Sequence, residues 1–189
     1  MNILIILGHP SLQRKSLCEV LAEAYKTGAE AGGHEVHLYK IAEKRFDPIL
    51  HEGYKKEQPP EPDIADAQEK IRQADHIVIA YPMWQFMMPA LLKGFFERVF
   101  TKGFAYQLGA SGGKMLKGKS ARIIQTMGMP EFAYRFVFRE HGRKVLSNML
   151  GFCGITPVRV TYLGMAEAGN DVGRVRALEK VQALGRKGK

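Results

Sequence analysis

The amino-acid sequence predicts an α/β protein with a doubly wound parallel sheet of five strands in the order 2-1-3-4-5. Short apolar runs alternate along the chain with longer stretches of helical periodicity. Most of these runs are continuously apolar, which is typical of strands that helices cover on both faces of a parallel sheet. Right-handed crossovers between five such strands fit this order, in which ligands bind at the carboxyl ends of the strands.

Five segments are predicted as strands because each is a short, mainly apolar run. They are residues 1–7, 35–39, 76–81, 120–127 and 158–162. Five further segments have apolar residues at helical spacing and are predicted as helices. They are residues 16–32, 63–74, 89–100, 132–150 and 171–184. Residues 46–62 contain prolines and many charges and are predicted as a loop.

Local signals mark several helix ends. Ser16 and Glu19 fit a capping box at the start of the first helix. Asp63 is a suitable N-cap for the second helix, and Pro89 suits the first turn of the third. Gly151 is expected to end the fourth helix.

The composition indicates one globular domain that spans residues 1–189. Hydrophobic residues make up 46% and charged residues 25% of the chain, which is ordinary for a folded domain. No apolar run approaches the roughly 18 residues of a membrane helix. The apolar run at residues 3–7 is too short for the core of a signal peptide. We therefore expect a cytoplasmic protein that does not insert into membranes.

Cysteine usage and charge exclude two further classes of site. Cys18 and Cys153 lie far apart without a CxxC spacing, so we expect two reduced thiols and no metal centre. The formal charge is +9, but the basic residues are scattered and do not alternate with aromatic ones as in a single-strand binding surface. The sequence thus favours a solvated basic surface over a nucleic-acid partner.

Residues 8–16 form the first of three unusual loops at the carboxyl ends of the predicted strands. A loop that leads from a strand into a helix presents free backbone amides and a positive dipole end to an anion. Ser16 adds a hydroxyl group, and His9, Arg14 and Lys15 add donors or positive charge. The segment is neither a GxGxxG nor a Walker loop, so an ordinary capped helix with a basic turn explains it equally well.

Residues 81–89 form the second loop, which holds the only tryptophan of the chain, Trp84, together with Phe86 and three methionines. Such side chains pack well against a flat aromatic ligand. Two prolines stiffen the backbone, so its amides could point at ring heteroatoms. The same composition also fits a hydrophobic loop that a neighbouring helix or a second subunit covers.

Residues 126–134 form the third loop, in which Gly128 allows the backbone to approach a ligand closely. Tyr134 and His141 are seven residues apart, so on a continuous helix they would share one face. Together they could stabilise a developing negative charge. Each could instead be a partly buried polar side chain without such a role.

Residues 81–86, 88–100 and 103–106 strongly resemble the NAD(P)H:quinone oxidoreductase family of flavodoxin-like proteins. The motifs Gly8-His9-Pro10, Lys15-Ser16-Leu17, Thr126-Met127-Gly128 and Gly151-Phe152-Cys153-Gly154 occur in the order of that family. The resemblance covers nearly the whole chain and is weaker in residues 46–73. It implies a homodimer with a flavin at the carboxyl end of a flavodoxin-like sheet.

The resemblance also implies roles for individual residues. The segment that holds the phosphate end of the flavin is matched by His9, Lys15, Ser16, Leu17 and Cys18. The loop along the isoalloxazine ring is matched by Pro82, Met83, Trp84, Gln85 and Phe86. The loop at the pyrimidine side of the ring is matched by Thr126, Met127 and Gly128. Tyr134 and His141 resemble the catalytic pair that stabilises charge on the reduced ring. Tyr106, from across the dimer interface, and Phe132 would line the acceptor pocket.

Our functional hypothesis is ping-pong hydride transfer. NAD(P)H reduces the flavin at N5 and leaves, and a quinone or a nitro or azo compound then takes the two electrons in the same pocket. FAD is favoured over FMN because the first loop is long and carries Lys15 and Ser16 at the helix start, as in relatives that hold a pyrophosphate. The hydride chemistry belongs to the flavin, and the protein supplies orientation and electrostatics.

A second hypothesis comes from another functional class. Relatives in this superfamily act as ancillary subunits of ion-transport systems, and a basic surface could dock an acidic partner. In that case the chain would be an electron carrier or a regulatory flavoprotein rather than an enzyme.

Overall fold

The computed structural model describes residues 1–11, 13, 15–109, 113–166 and 171–189. Its five strands are β1 (Asn2–Leu7), β2 (Glu35–Lys40), β3 (His76–Pro82), β4 (Ser120–Thr126) and β5 (Val158–Leu163). They form one sheet in the order β2-β1-β3-β4-β5, and every neighbouring pair is parallel. The predicted strand order and the flavodoxin-like fold class are confirmed.

Helices cover both faces of the sheet. They are α1 (Leu17–Ala31), α2 (Pro62–Gln73), α3 (Ala90–Val99), α4 (His141–Cys153) and α5 (Asp171–Arg186). Because successive strand residues point to opposite faces, Ile77 and Ile79 of β3 pack in the core that includes α2, α3 and α4. Val78 and Ala80 pack in the core that includes α1 and α5.

The predicted cap of α1 is confirmed. The hydroxyl oxygen of Ser16 accepts a hydrogen bond from the Glu19 backbone N–H at 3.2 Å. In a complete capping box the Glu19 carboxylate would also accept a hydrogen bond from the Ser16 backbone N–H. Here this carboxylate binds the Lys40 ammonium group at 2.6 Å instead. Gly32 caps the other end, where its N–H donates to the Gly28 carbonyl oxygen at 3.0 Å.

Helices α1 and α5 pack backbone against backbone. A Cβ atom added at Gly28 would collide with the Gln182 carbonyl oxygen of α5 and lie 2.8 Å from its carbonyl carbon. A Cβ at Gly185 would collide in the same way with the Tyr25 carbonyl oxygen of α1. Only glycine permits this approach, which closes one face of the sheet.

The predicted N-cap of the second helix is wrong. Helix α2 begins at Pro62, and its N-cap is Glu61, which makes no side-chain capping bond. Asp63 lies inside the first turn, where its carboxylate accepts from the Arg45 N–H at 2.8 Å. The Asp63 carboxylate therefore holds the preceding loop in place and does not cap the helix. In α3 the difference is one residue, because Pro89 is the N-cap and not the first helical residue.

The predicted continuous helix 132–150 is also wrong. A short π-helix (Ala133–Val137) comes first, and α4 begins only at His141. Arg139 and Glu140 between them have positive φ angles of 53° and 54°, which a right-handed helix cannot accommodate. Helix α4 also runs past Gly151, and Gly154, with φ of 103°, ends it.

Both cysteines are buried free thiols. Burial raises the pKa of the Cys153 thiol to about 11. Across the described part of the chain, no group of three His, Cys, Asp or Glu side chains is placed to hold a metal ion. None of the described helices has the length and apolarity needed to cross a bilayer.

Candidate functional site

The three unusual loops leave the sheet side by side at the carboxyl ends of β1, β3 and β4. Hydrogen bonds beyond the strand ends hold them in place: the Gly8 N–H donates to Ala80 at 2.8 Å, and the Met83 N–H donates to Thr126 at 2.8 Å. The His9 and Trp84 rings meet edge to face, with 5.8 Å between their centroids. The first and second loops therefore form one surface.

The start of α1 provides the anion-binding end of this surface. The first backbone N–H groups of a helix, here those of Leu17 and Cys18, have no partner within the helix. The exposed Lys15 ammonium group lies beside them and forms an ion pair with Glu23. The oxygen of the Ser16 hydroxyl already accepts the capping bond from Glu19, so this group could still donate its own hydrogen to a phosphate. Arg14 lies outside the described residues.

A cavity of about 190 Å³ opens next to this helix start. It is lined by Leu7, His9, Ser11, Lys15, Glu19, Lys40, Ala42 and Glu43. The Ser11 N–H donates to the His9 ring at 3.1 Å, which holds the loop against the cavity. The lining is mostly polar or charged, as suits part of a nucleotide rather than an apolar ring.

Cys18 does not line this cavity but ties the start of α1 to the end of β4. Its sulfur atom lies 3.0 Å from the Thr126 hydroxyl oxygen in a buried hydrogen bond. Burial raises the pKa of the Cys18 thiol to about 12, more than the bond to Thr126 lowers it. At neutral pH the group is a neutral thiol, so its contribution to the site is to fix the positions of α1 and β4.

The second loop is a tight turn that points its aromatic rings outward. Trp84 and Met87 exchange two backbone hydrogen bonds of 2.9 Å, and Gln85 and Phe86 between them have φ angles of 48° and 65°. Positive φ at both central residues defines a type I′ turn. Non-glycine residues in this conformation cost about 1–3 kcal/mol each, and such strain concentrates at functional sites.

The exposure of these rings excludes one interpretation of the loop. Trp84 is 48% and Phe86 40% exposed, so none of the described helices covers them. The turn is supported by His9 at Trp84 and, at Phe86, by the segment that leads into α4. The Phe86 ring contacts the Phe138 ring at a centroid distance of 4.7 Å. Gly142 lies against the Phe86 carbonyl oxygen so closely that a Cβ atom at position 142 would collide with it.

Of the three residues predicted in the third loop, only Gly128 is available to a ligand. Thr126 and Met127 are buried, whereas Gly128 is exposed. A Cβ atom at Gly128 would meet no other atom within 4 Å. The backbone of Gly128 therefore borders open space at the end of β4, next to the second loop.

The structure does not place Tyr134 and His141 on one helix face, because the helix is interrupted between them. Tyr134 is fully buried, and its hydroxyl oxygen accepts from the Arg143 N–H at 3.1 Å and from the Gln125 side-chain amide at 3.4 Å. His141 is exposed at the start of α4. The Tyr134 hydroxyl thus joins β4 to the first turn of α4.

Glu140 fixes the interruption. Its carboxylate binds the guanidinium groups of Arg135, at 3.2 Å, and Arg143. Burial alone would raise the pKa of Glu140, but the hydrogen bonds from Arg143 and Arg135 outweigh burial and hold the pKa below its ordinary value. The carboxylate is therefore charged at neutral pH and clamps the π-helix to α4.

We predict that Tyr134→Phe destabilises the flavin-free protein by about 1–3 kcal/mol, because the Arg143 N–H and the Gln125 amide lose their acceptor in the interior. Denaturant unfolding measures this change. His141→Gln, at an exposed position, is the control and should stay within about 0.5 kcal/mol of the parent. The family resemblance further predicts slower flavin reduction in Tyr134→Phe, and equal stopped-flow rates would leave Tyr134 with a structural role only.

Tyr106 and Phe132 lie at opposite ends of the strands: Phe132 at the carboxyl ends and Tyr106 at the amino ends. Helix α3 runs away from the carboxyl edge, and Tyr106 follows it, where its ring contacts Phe152 at the end of α4 with a centroid distance of 5.0 Å. Phe132 follows β4 at the carboxyl edge and is 66% exposed. Within one chain, Tyr106 cannot line the same pocket as Phe132.

Sequence reasoning missed three residues of this region. Gly142 and Phe138 support the turn from Trp84 to Met87, which we call the aromatic turn, and Gln125 supports Tyr134. A signal existed for Gly142, since a glycine within a helical pattern often marks a close backbone approach. Phe138 and Gln125 carried no such signal, because their roles depend on contacts between distant segments.

Comparisons with known proteins agree with this architecture. The family model described as "Flavodoxin-like fold" matches residues 1–184. An uncharacterized NAD(P)H oxidoreductase of Haemophilus influenzae is 32% identical over 187 residues, which cover 95% of this chain and 91% of that protein. NAD(P)H dehydrogenase [quinone] 1 of Cavia porcellus is 30% identical over a match that covers 84% of this chain and 67% of that protein. A solved structure of an NAD(P)H:quinone oxidoreductase from Methanothermobacter marburgensis superimposes with a TM-score of 0.86, at 28% identity, over 98% of both chains.

Proposed function

This chain belongs to the flavodoxin-like NAD(P)H oxidoreductase family, and from that premise we propose that it is a flavin-dependent enzyme that transfers two electrons from NAD(P)H to a quinone. The observation that carries the proposal is the meeting of three loops with complementary chemistry at one sheet edge. The start of α1 suits an anion, the Trp84–Met87 turn offers exposed rings, and Gly128 offers open backbone.

The residues present fit the parts of a flavin. The helix start and Lys15 suit its phosphate. Trp84 and Phe86, held outward by the strained turn, suit a flat ring. The backbone at Gly128 can approach the pyrimidine edge without a side chain in the way. When bound, the flavin supplies the hydride-transfer centre, and the protein orients it and its substrates.

We further propose that NAD(P)H and the quinone use the same pocket in turn, in a ping-pong reaction. The exposed rings of Trp84 and Phe86 support this order, because both substrates would stack in turn on the ring that these side chains hold. NAD(P)H is an intracellular reductant, so the proposed compartment is the cytoplasm.

FAD is the proposed flavin. The 190 Å³ cavity beyond the start of α1 extends past the phosphate position toward Lys40 and Ala42, at the end of β2. FMN would end at the helix, whereas the nucleotide half of FAD would continue from it. The mass of the flavin released from the denatured protein tests this choice, and FMN as the only species released would reject it.

The proposed active form is a homodimer. Tyr106 and Phe152 lie at the sheet edge opposite the ring site, beside the exposed apolar side chains of Leu108 and Met115. Exposed apolar patches of this kind mark interaction sites. Tyr106 can line the acceptor pocket only if a second subunit brings it there. Sedimentation as a monomer at working concentrations would contradict this arrangement.

Gly128→Val tests the ring site itself. We expect unchanged stability without flavin, because the new side chain meets no neighbour. We expect flavin affinity to fall by at least about tenfold, or 1.4 kcal/mol, because the side chain would occupy space proposed for the ring. Absorbance titration measures the affinity, and thermal unfolding of the flavin-free protein is the control. Full affinity in the variant would remove Gly128 from the site.

The formal charge of +9 favours a second candidate, an electron carrier or ancillary subunit of an ion-transport system that docks an acidic partner. Steady NAD(P)H–quinone turnover by the purified protein supports the enzyme. Negligible turnover, with reduction that stops after one electron, supports the carrier.

A further inference from the structure

The segment between β4 and α4 projects three apolar side chains into solvent. We call Phe132, Phe136 and Val137 the apolar knob; their exposed fractions are 66%, 74% and 68%. All three lie within or beside the π-helix. Exposure of adjacent large apolar side chains is unfavourable unless another surface covers them.

Basic residues lie in and beside the segment that carries the apolar knob. The Arg135 guanidinium lies 5.6 Å from the centre of the Phe136 ring. Arg139 and Lys144 are exposed and form no ion pair within the part of the chain that the structure describes. The nearby acid Glu140 is already engaged by Arg135 and Arg143. The knob thus has positive charge around it in a chain whose formal charge is +9.

The apolar knob borders the proposed ring site. Phe138, the residue that follows the π-helix, contacts Phe86 of the aromatic turn at 4.7 Å between ring centroids. Gly142, one turn further on, supports the backbone of the same turn. A surface that covers the knob would therefore lie at the mouth of the site.

We propose that the apolar knob docks the protein on an anionic lipid bilayer. Phe132, Phe136 and Val137 enter the boundary between headgroups and acyl chains, and the surrounding basic side chains bind lipid phosphates. The docking depends only on the exposed surface. A further claim rests on the proposed function: the electron acceptor is a quinone dissolved in the bilayer, and it reaches the site from the membrane.

Contact between two knobs, one from each copy of the chain, fits the apolar side chains less well than a bilayer. In the homodimer proposed above, the second subunit brings Tyr106 to the site and not its own knob. The three side chains expose on the order of 400 Å² of apolar surface, whereas a stable interface buries about 800 Å² per partner. A two-fold contact would also place Arg135 and Arg139 of one copy near the same residues of the other, and these like charges repel.

Vesicle binding by the full-length protein tests the proposal. Vesicles of phosphatidylcholine are compared with vesicles in which part of it is replaced by phosphatidylglycerol. Trp84, the only tryptophan, is exposed beside the knob, so its fluorescence reports on docking. We expect binding to the anionic vesicles to be at least about tenfold tighter and to weaken with added salt.

Three variants make the test specific. Phe136→Ser/Val137→Ser should lose at least about tenfold in affinity for anionic vesicles. Arg139→Asn should lose about fivefold, because asparagine tolerates the positive φ at this position but removes the charge. Tyr54→Ser is the matched control, since Tyr54 is 81% exposed on a different loop, and its affinity should not change.

Several outcomes would overturn the docking proposal. They are no binding of the parent protein to anionic vesicles, equal binding by the parent and the Phe136→Ser/Val137→Ser variant, and conversion of a dimer into a monomer by that variant. Flavin content and turnover with a water-soluble quinone are measured on the same samples. Vesicle binding without flavin or turnover would refute the proposed function and leave docking supported.

Discussion

Gly142→Ala is expected to weaken flavin binding by about a hundredfold, although residue 142 faces protein backbone and not the open pocket. The new Cβ atom would collide with the Phe86 carbonyl oxygen and lie 3.3 Å from the Met87 Cα. Backbone atoms cannot rotate away as a side-chain end can, so the Trp84–Met87 turn must shift. In catalysis, a displacement of about 1 Å at a positioned group can cost a factor of about 10² in rate, and we expect a loss of the same order in flavin affinity.

The matched control is Gly151→Ala in the same helix. A Cβ atom at Gly151 meets nothing within 4 Å, and alanine is the better helix former. Flavin titration should therefore separate the two variants, with the parent affinity kept in Gly151→Ala. If Gly142→Ala also keeps the parent affinity, the aromatic turn does not hold the ring.

Gly28→Val is expected to lower the free energy of unfolding by about 3 kcal/mol or more. The side chain would enter the space that the Gln182 backbone of α5 occupies, so α1 and α5 would have to separate. For a chain of this size the melting temperature should fall by roughly 6 to 12 °C.

Thermal unfolding of the flavin-free protein measures this change, with Gly151→Val as the control at an open helical position. The control should stay within about 1 kcal/mol of the parent, because valine is no poorer a helix former than glycine. Equal melting temperatures for the two variants would show that α1 and α5 do not pack backbone to backbone in solution.

The arrangement of strands was predictable because burial imposes a pattern on the chain. Strands that are covered on both faces must be apolar throughout, and residues 3–7 and 77–80 show this directly. The start of α1 was also predictable, since Ser16 makes a local bond that depends only on sequence neighbours.

The interruption before α4 was not predictable from local sequence. Arg139 and Glu140 are ordinary helix residues, and no glycine or proline marks the break. Contacts with distant segments hold the interruption: the Tyr134 hydroxyl accepts from Gln125 of β4, and the Phe138 ring contacts Phe86. The bonds of Glu140 to Arg135 and Arg143 close the break locally. The sequence pattern therefore predicted one helix through residues 139 and 140, where contacts in the folded chain prevent it.

The candidate site was predictable to a similar extent. Its place at the carboxyl ends of β1, β3 and β4 follows from the strand order. The type I′ turn does not follow from the sequence, because such turns usually contain asparagine and glycine, and here Gln85 and Phe86 take the central positions. The pairing of Tyr134 with His141 failed because it assumed an unbroken helix.

The burial of both thiols has a chemical consequence under the proposed function, in which quinones are the substrates. Quinones are electrophiles that alkylate sulfur, and the attacking species is the thiolate. With pKa values of about 12 for Cys18 and about 11 for Cys153, fewer than about one thiol in a thousand is ionised near neutrality. Neither sulfur is accessible from solvent. If the proposed function holds, burial keeps both nucleophiles inert toward the substrate, which would protect the protein from inactivation during turnover.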